Sequence, residues 1–401
     1  MTFVDTTKPS ICFVVPGAYN VLSGCDGMRR VGGAEVQMVS MARALVDLGF
    51  SVSFITWDHG QPDGKRVEEI AIYKCFDPGD GFPLVRFFHP RWTRLNRAMA
   101  RANAEVYLQG CADSLTGQVA MWCRKHRRRF AFLVMSDTDC RPELPYLTSR
   151  RERWLFRYGI RNADVAVIQT ERQRALLGQW QSVRSIQVPP SALRRDDDMR
   201  LARFPEGEVR VLWLGRFSYE KRIEWLLELA RVCPNVQFDL VGGANVNDAY
   251  AQRIVQEAQQ IANVHLHGRI PHSEVDKFYG RAHALALTSQ FEGFPSVFLE
   301  AWSWGLPTVS TVDVDGVIVE AGLGAVADDV SGLAAALGEL FSDPAKWEGC
   351  SRRAREHYLK HHTRAATGTA MERMLRELVR KATPDTEMTA SGEASRTMVS
   401  R

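Results

Sequence analysis

Apolar runs of strand length alternate with amphipathic runs of helix length along most of the chain. Residues 11–16 (ICFVVP) read as a first buried strand, 34–48 repeat with helical periodicity up to Gly49, and 52–57 read as a second strand. Residues 106–108 and 130–135 predict two more strands around a helix near 114–125, and 163–169 and 185–188 continue the series. Strands that are apolar at every position, separated by helices, indicate a parallel sheet covered on both faces.

Pro189 and Pro190 close that series, and the charged, apolar-poor stretch 194–200 predicts a linker. The pattern then restarts with strands at 211–214, 237–241, 264–266, 285–288 and 308–311, and a helix over 223–232. Two late helices fall near 343–360 and 365–379. The expected fold is therefore α/β, two Rossmann-like doubly wound domains facing across a cleft. Their expected spans are 1–200 and 201–361, with a helix at about 362–381 packing back on the first domain. Residues 382–401 are polar, lack apolar periodicity and predict a disordered tail.

A length of 401 residues suits two or three such domains. No apolar run approaches the roughly 18 residues of a membrane span. The N-terminus lacks a basic segment followed by an apolar one, so no signal peptide is expected and a cytoplasmic location is the default. The eight cysteines, Cys12, Cys25, Cys75, Cys111, Cys123, Cys140, Cys233 and Cys350, include no C-x-x-C pair and no zinc-like spacing. Cys12 falls inside an apolar strand and is expected in the core. His265 and His267 alternate along a strand, and satisfied structural histidines are expected there rather than metal ligands.

Charge changes the picture in one place. Residues 1–200 hold 29 Lys and Arg against 21 Asp and Glu, while the rest is acidic, with 22 against 26. Between Arg86 and Arg129, ten basic residues accompany only Glu105 and Asp113. Solvated helix faces explain this; an anionic membrane surface or an anionic acceptor explains it equally. Nucleic acid is not expected, because no recognised binding motif accompanies the charge.

Four loops fall at carboxyl ends of predicted strands, where ligands of such sheets bind. Gly32-Gly33-Ala34-Glu35 precedes a helix and lets backbone approach an anion, although a plain tight turn would also account for it. Gly215-Arg216, with Lys221 beyond, offers a guanidinium fork and a compact charge for phosphate, or else surface salt bridges. Gly242 and Gly243 end a strand, which suits a turn or a nucleoside pocket. Glu292-Gly293-Phe294-Pro295-Ser296 opens a predicted helix that carries Glu300 about one turn in. The free amides of Ser296 and Val297 could hold a phosphate, an effect of about 0.3–1 kcal/mol when exposed. Glu300 suits the paired hydroxyls of a ribose, or is a satisfied helix glutamate.

Gly215-Arg216 with Lys221, Glu292 through Glu300, His267-Gly268-Arg269-Ile270-Pro271 and the run from Ala301 to Val309 together resemble the retaining nucleotide-sugar glycosyltransferases of family 4, which have the GT-B fold. The resemblance is strong over about 205–345, moderate over 11–60 and weak over 61–150. It implies that Arg216 and Lys221 neutralise a donor diphosphate approached by Gly33 from the other domain. It further implies that Glu300 binds the ribose, that Glu292, Gly293 and Phe294 meet the donor sugar, and that Arg269 and Ile270 flank the base. No cofactor and no metal are expected, and Asp313-Val314-Asp315 is placed too late in the second domain for a D-x-D metal motif. The implied partners are a nucleotide-sugar donor, most plausibly UDP-linked, and a glycan or lipid-linked acceptor. The sequence departs from the family in two respects. The loops after 106–108 and 130–135 carry no histidine, so Asp137 or Asp139 is the candidate for acceptor activation. Pro295 stands where glycine is common. A non-hydrolysing UDP-sugar epimerase and an inactive nucleotide-binding relative are the alternatives. A dinucleotide dehydrogenase is disfavoured, because no G-x-G-x-x-G follows the first strand.

Overall fold

A computed structural model describes residues 8–24, 32–82, 85–192, 201–243, 248–271 and 274–380. The expected linker 194–200, the tail 382–401 and Cys25 lie outside the described residues. The first sheet has eight strands: β1 (Ile11–Val14), β2 (Val52–Thr56), β3 (Lys65–Val67), β4 (Ile70–Lys74), β5 (Val106–Gly110), β6 (Arg129–Leu133), β7 (Val165–Ile168) and β8 (Ser185–Gln187). Their order is β3-β4-β2-β1-β5-β6-β7-β8, and every pairing is parallel except β3 with β4. The second sheet is wholly parallel, in the order β11-β10-β9-β12-β13-β14. Its strands are β9 (Val209–Arg216), β10 (Val236–Gly243), β11 (Val264–Gly268), β12 (Ala284–Leu287), β13 (Thr308–Ser310) and β14 (Gly324–Val326).

The all-apolar pattern of β1 has a direct cause. Ile11 and Phe13 face one core, which contains Met38, Leu45 and Met371, while Cys12 and Val14 face another, with Phe130 and Phe156. Burial pushes the Cys12 thiol up to about 12, so it packs as a small hydrophobe. The last helix, Arg364–Arg380, places Met371, Met374, Leu375 and Leu378 in the first of these cores. It lies so close to the helix Gly33–Asp47 that a Cβ on Gly368 would sit 3.1 Å from the Ala44 carbonyl.

Strand order reverses at β1, which lies between β2 and β5, and at β9, which lies between β10 and β12. Crevices open beyond the carboxyl ends of strands at such points. The loops after β1, β9 and β12 therefore reach them, and these are three of the four loops that the chemistry singled out.

Candidate functional site

The loop after β9 is built from charge pairing. Arg216 ends the strand with its side chain 60% exposed and pairs with Glu220 at 3.0 Å. Burial alone would raise the Glu220 carboxyl; the Ser218 hydroxyl, 2.7 Å away, its own backbone and Arg216 outweigh that and hold it below the usual range. Lys221 turns the other way and pairs with Glu292 in the loop after β12. The two loops are stitched together, because Thr288 Oγ1 donates to the Lys221 carbonyl at 2.8 Å and the Gln290 amide to that of Glu220 at 2.8 Å.

Beside them, β9 and β10 end in near contact. Gly242 has φ +150°, and a Cβ there would lie 1.8 Å from the Gly215 carbonyl oxygen, so both the conformation and the space demand glycine. A Cβ on Gly243 would meet the Arg269 side chain at 2.1 Å, so Arg269 lies across the strand end. Ile270, Phe294 and Val297 each pack against the core of the second domain.

The helix Ser296–Ser303 starts at Pro295, and no side chain caps it. The helix Gly33–Asp47 starts opposite, with the Glu35 carboxylate bracing the Gly32 amide at 3.1 Å. A Cβ on Gly33 would come within 3.2 Å of Ser296 Oγ, so two helix N-termini converge on one point. Glu300 lies one turn into its helix, 8% exposed, and accepts from the Tyr279 hydroxyl at 2.7 Å. Burial, reinforced by the Glu300 charge, keeps that hydroxyl protonated well above its ordinary range. Gly293 lies flat on the first domain, where a Cβ would be 2.7 Å from the Met135 carbonyl. Arg216, Lys221, Glu292, Gly293 and Ser296 thus lie on the adjoining loops after β9 and β12, with Gly33 of the facing helix against Ser296 and Glu300 buried one turn behind it.

The two aspartates after β6 have different environments. Asp139 accepts from the amides of Ala112, Met135 and Ser136 at 3.0–3.1 Å, and burial pushes its carboxyl to about 6 despite those bonds. It organises the loop. Asp137 is buried, with its carboxyl raised by that burial, and pairs with Arg172 at 2.9 Å. Both carboxylates of the D-x-D sequence serve backbone amides: Asp313 accepts from Ile318 at 2.8 Å, and Asp315 from Glu171 across the cleft at 2.7 Å. His265 and His267 pair with Gln237 and Asp239 on the adjacent strand, at 2.7 and 2.6 Å.

Sequence reasoning missed Glu220, the resting partner of Arg216, and Tyr146. Tyr146 is 62% exposed, and its hydroxyl is raised by burial and by Glu220, with Arg216 opposing, which sets it beside the second-domain loops. A tyrosine in a proline-containing loop carries no sequence signal for that place.

Two family descriptions match successive parts of the chain: Glycosyl transferase 4-like domain over residues 32–191, and Glycosyl transferases group 1 over 194–357. The chain is a glycosyltransferase of the GT-B superfamily. The glycosyltransferase is 22% identical over 309 residues to the amylovoran biosynthesis glycosyltransferase AmsD of Erwinia amylovora, covering 73% of this chain and 80% of that one. Its fold matches sucrose-phosphate synthase from Thermosynechococcus elongatus with a TM-score of 0.75 at 18% identity, covering 93% and 100% of the two chains. It also matches Anabaena HepE, solved in complex with UDP and glucose, with a TM-score of 0.72 at 15% identity over 92% and 99%. At these identities the structural likenesses concern the fold of the glycosyltransferase.

Proposed function

We propose that the glycosyltransferase moves a hexose, with retention and without a metal, from a UDP-sugar to a glycan acceptor that is lipid-linked or a growing polysaccharide. The observation that carries this reading is the convergence of the Gly33 and Ser296 helix N-termini beside Arg216 and the Lys221–Glu292 pair. Such a point attracts a diphosphate, and the uridine ribose would reach Glu300. As the bond from the anomeric carbon to the β-phosphate oxygen breaks, negative charge grows on the diphosphate. Arg216, Lys221 and the helix amides stabilise that charge more than the ground state, which supports a reaction without a metal. The acceptor oxygen bonds to the anomeric carbon on the face the diphosphate leaves, and its proton passes to the departing phosphate oxygen. The retaining course follows from the resemblance to family 4, and the donor from the UDP complex of Anabaena HepE.

Thermal unfolding with UDP, GDP, ADP and NAD, each at millimolar concentration with a chelator, tests the donor site. UDP at about 100 times its dissociation constant should stabilise the protein by about 2.7 kcal/mol, a rise of a few degrees. The rise should vanish in Glu300→Ala. A selective response to GDP or ADP would change the donor, and no response to any nucleotide would overturn the reading.

The basic face supports a peripheral membrane position. No described helix is long and apolar enough to cross a membrane. Part of the charge excess cancels in the fold, because Arg94, Arg101 and Arg129 pair with Asp80, Asp63 and Asp164. The helix Arg150–Arg161 adds exposed arginines, and Arg151 sits 3.9 Å over the Phe87 ring, joining this helix to a segment that exposes Phe82 and Phe88. Arginines interleaved with exposed aromatics suit an anionic lipid interface, at about 1 kcal/mol per basic residue. Vesicles containing phosphatidylglycerol should sediment the protein at low salt, and neutral vesicles should not. Equal binding to both, or binding to neither, would count against it.

A further inference from the structure

The donor loop Glu292–Ser296 belongs to the second sheet, yet the first domain fixes its backbone. Gln37, 4% exposed on the helix Gly33–Asp47, donates from Nε2 to the Phe294 carbonyl at 2.8 Å. Its Oε1 accepts from Gln169 Nε2 at 2.5 Å. The Gln169 amide in turn donates to Gln173 Oε1 at 2.8 Å, on the helix Glu171–Gly178. The same helix is gripped from the far side of the cleft, where Asp315 takes the amides of Glu171 and Arg172 at 2.7 and 3.2 Å. Asp315 holds φ +51° to do so, a conformation that aspartate tolerates better than most residues.

We infer that Gln37 and Asp315 are positioning residues for the donor loop. They hold Gly293 and Phe294 in place only while the two domains are closed, so the loop is competent only in the closed state. The inference rests on the donor-site reading above for its activity arm, but not for its structural arm. Three features of the network support it. First, the glutamine chain is buried, so its hydrogen bonds are shielded from competing water. Second, each clasp crosses the cleft, so opening breaks both. Third, among the described residues Gln169 Oε1 is buried without a hydrogen-bond partner, so the network is held at a cost. Arrangements of this kind open and re-form, as a catalytic cycle with product release requires.

The test uses the full-length protein with Gln37→Leu, Asp315→Ala and Asp315→Asn. Small-angle scattering reports the domain arrangement without any ligand. Calorimetry reports UDP affinity, and UDP release from UDP-glucose, UDP-galactose and UDP-N-acetylglucosamine reports turnover. Gln37→Leu and Asp315→Ala should raise the radius of gyration and lower turnover about tenfold or more, with UDP affinity falling less than turnover, because Arg216, Lys221 and Ser296 stay together on the second domain and only Gly33 moves away. Asp315→Asn should restore both, because asparagine also caps a helix and accepts positive φ. Scattering and turnover unchanged in both disruptive variants would overturn the inference. So would UDP affinity that falls as far as turnover, because that would place Gln37 in the donor site itself. A wild-type protein that neither binds UDP nor releases it would undo the donor-site reading and leave scattering alone to decide this one.

Discussion

Lys221→Met should lower turnover by roughly 10- to 100-fold and also lower the melting temperature, whereas Arg216→Ala should lower turnover comparably and leave the melting temperature unchanged. The asymmetry comes from burial. Lys221 and Glu292 are 20% and 14% exposed, so removing the ammonium strands a carboxylate that has little access to water. Losing a charged hydrogen bond of this kind costs about 1.5–3 kcal/mol, and an uncompensated charge adds to the destabilisation. Arg216 is 60% exposed, and its pair with Glu220 lies at the surface, where such pairs contribute about 0–1 kcal/mol. Its value is to the donor diphosphate rather than to the fold. The checks are kcat/KM with the preferred UDP-sugar and the unfolding midpoint of each variant. Turnover within twofold of wild type in Lys221→Met would remove the charge-neutralising role.

The two cations also differ in what the donor must do to reach them. Arg216 is held by Glu220, which the Ser218 hydroxyl keeps ionised. On the donor-site reading proposed above, a diphosphate has to take the guanidinium from that carboxylate, so Glu220 would compete with the donor and tune its affinity. Lys221 is already fixed by Glu292, at the floor of the loop that Gln37 holds from the opposite domain.

The sequence made legible what depends on local pattern. Strands buried on both faces announced themselves as unbroken apolar runs, and the site loops followed because they lie at strand ends. Edge elements were less visible. β3, at the sheet edge, has no buried position and β4 mixes buried with half-buried ones, so 65–74 presents no continuous buried run, and β14 has only three residues. The partners within the site were hidden for another reason. Lys221 meets Glu292 across 71 positions and Gln37 meets Phe294 across 257, and no periodicity encodes such pairs. The motif Asp313-Val314-Asp315 illustrates the same point: its place in the chain argues against the metal role its spacing resembles, but only the fold shows both carboxylates accepting from helix amides, one of them on the other domain.

Acid should weaken the fold from about pH 6.5 downwards, through the histidines at the chain crossover. His362 is buried beneath the donor loop, 5.0 Å from the Phe294 ring, with Nδ1 donating to the Pro190 carbonyl at 2.9 Å. Burial pushes its imidazole down to about 3, with the Pro190 carbonyl opposing and His357 adding to the shift. Burial, then the charge of His361, pushes His357 to about 4. In the unfolded chain both titrate near 6.5. Below that pH the unfolded state takes up two protons that the native state refuses, and stability falls by about 1.4 kcal/mol per pH unit for each. Asp139 works in the opposite sense. Its carboxyl, raised to about 6, binds a proton in the fold before the unfolded chain does, so between about pH 6 and 4 it offsets one histidine. The net slope should therefore build to about one proton just below pH 6.5 and stay near one towards pH 4, a loss that matters against a total stability of roughly 5–15 kcal/mol. His362→Asn keeps a donor for Pro190 and removes the titration, so denaturant midpoints at pH 7, 6 and 5 should show its slope shallower by about one proton. Identical slopes in the two proteins would mean that the crossover histidines do not govern acid sensitivity. A shallower slope would place an acid-sensitive group beside Phe294, one of the residues through which the two domains meet.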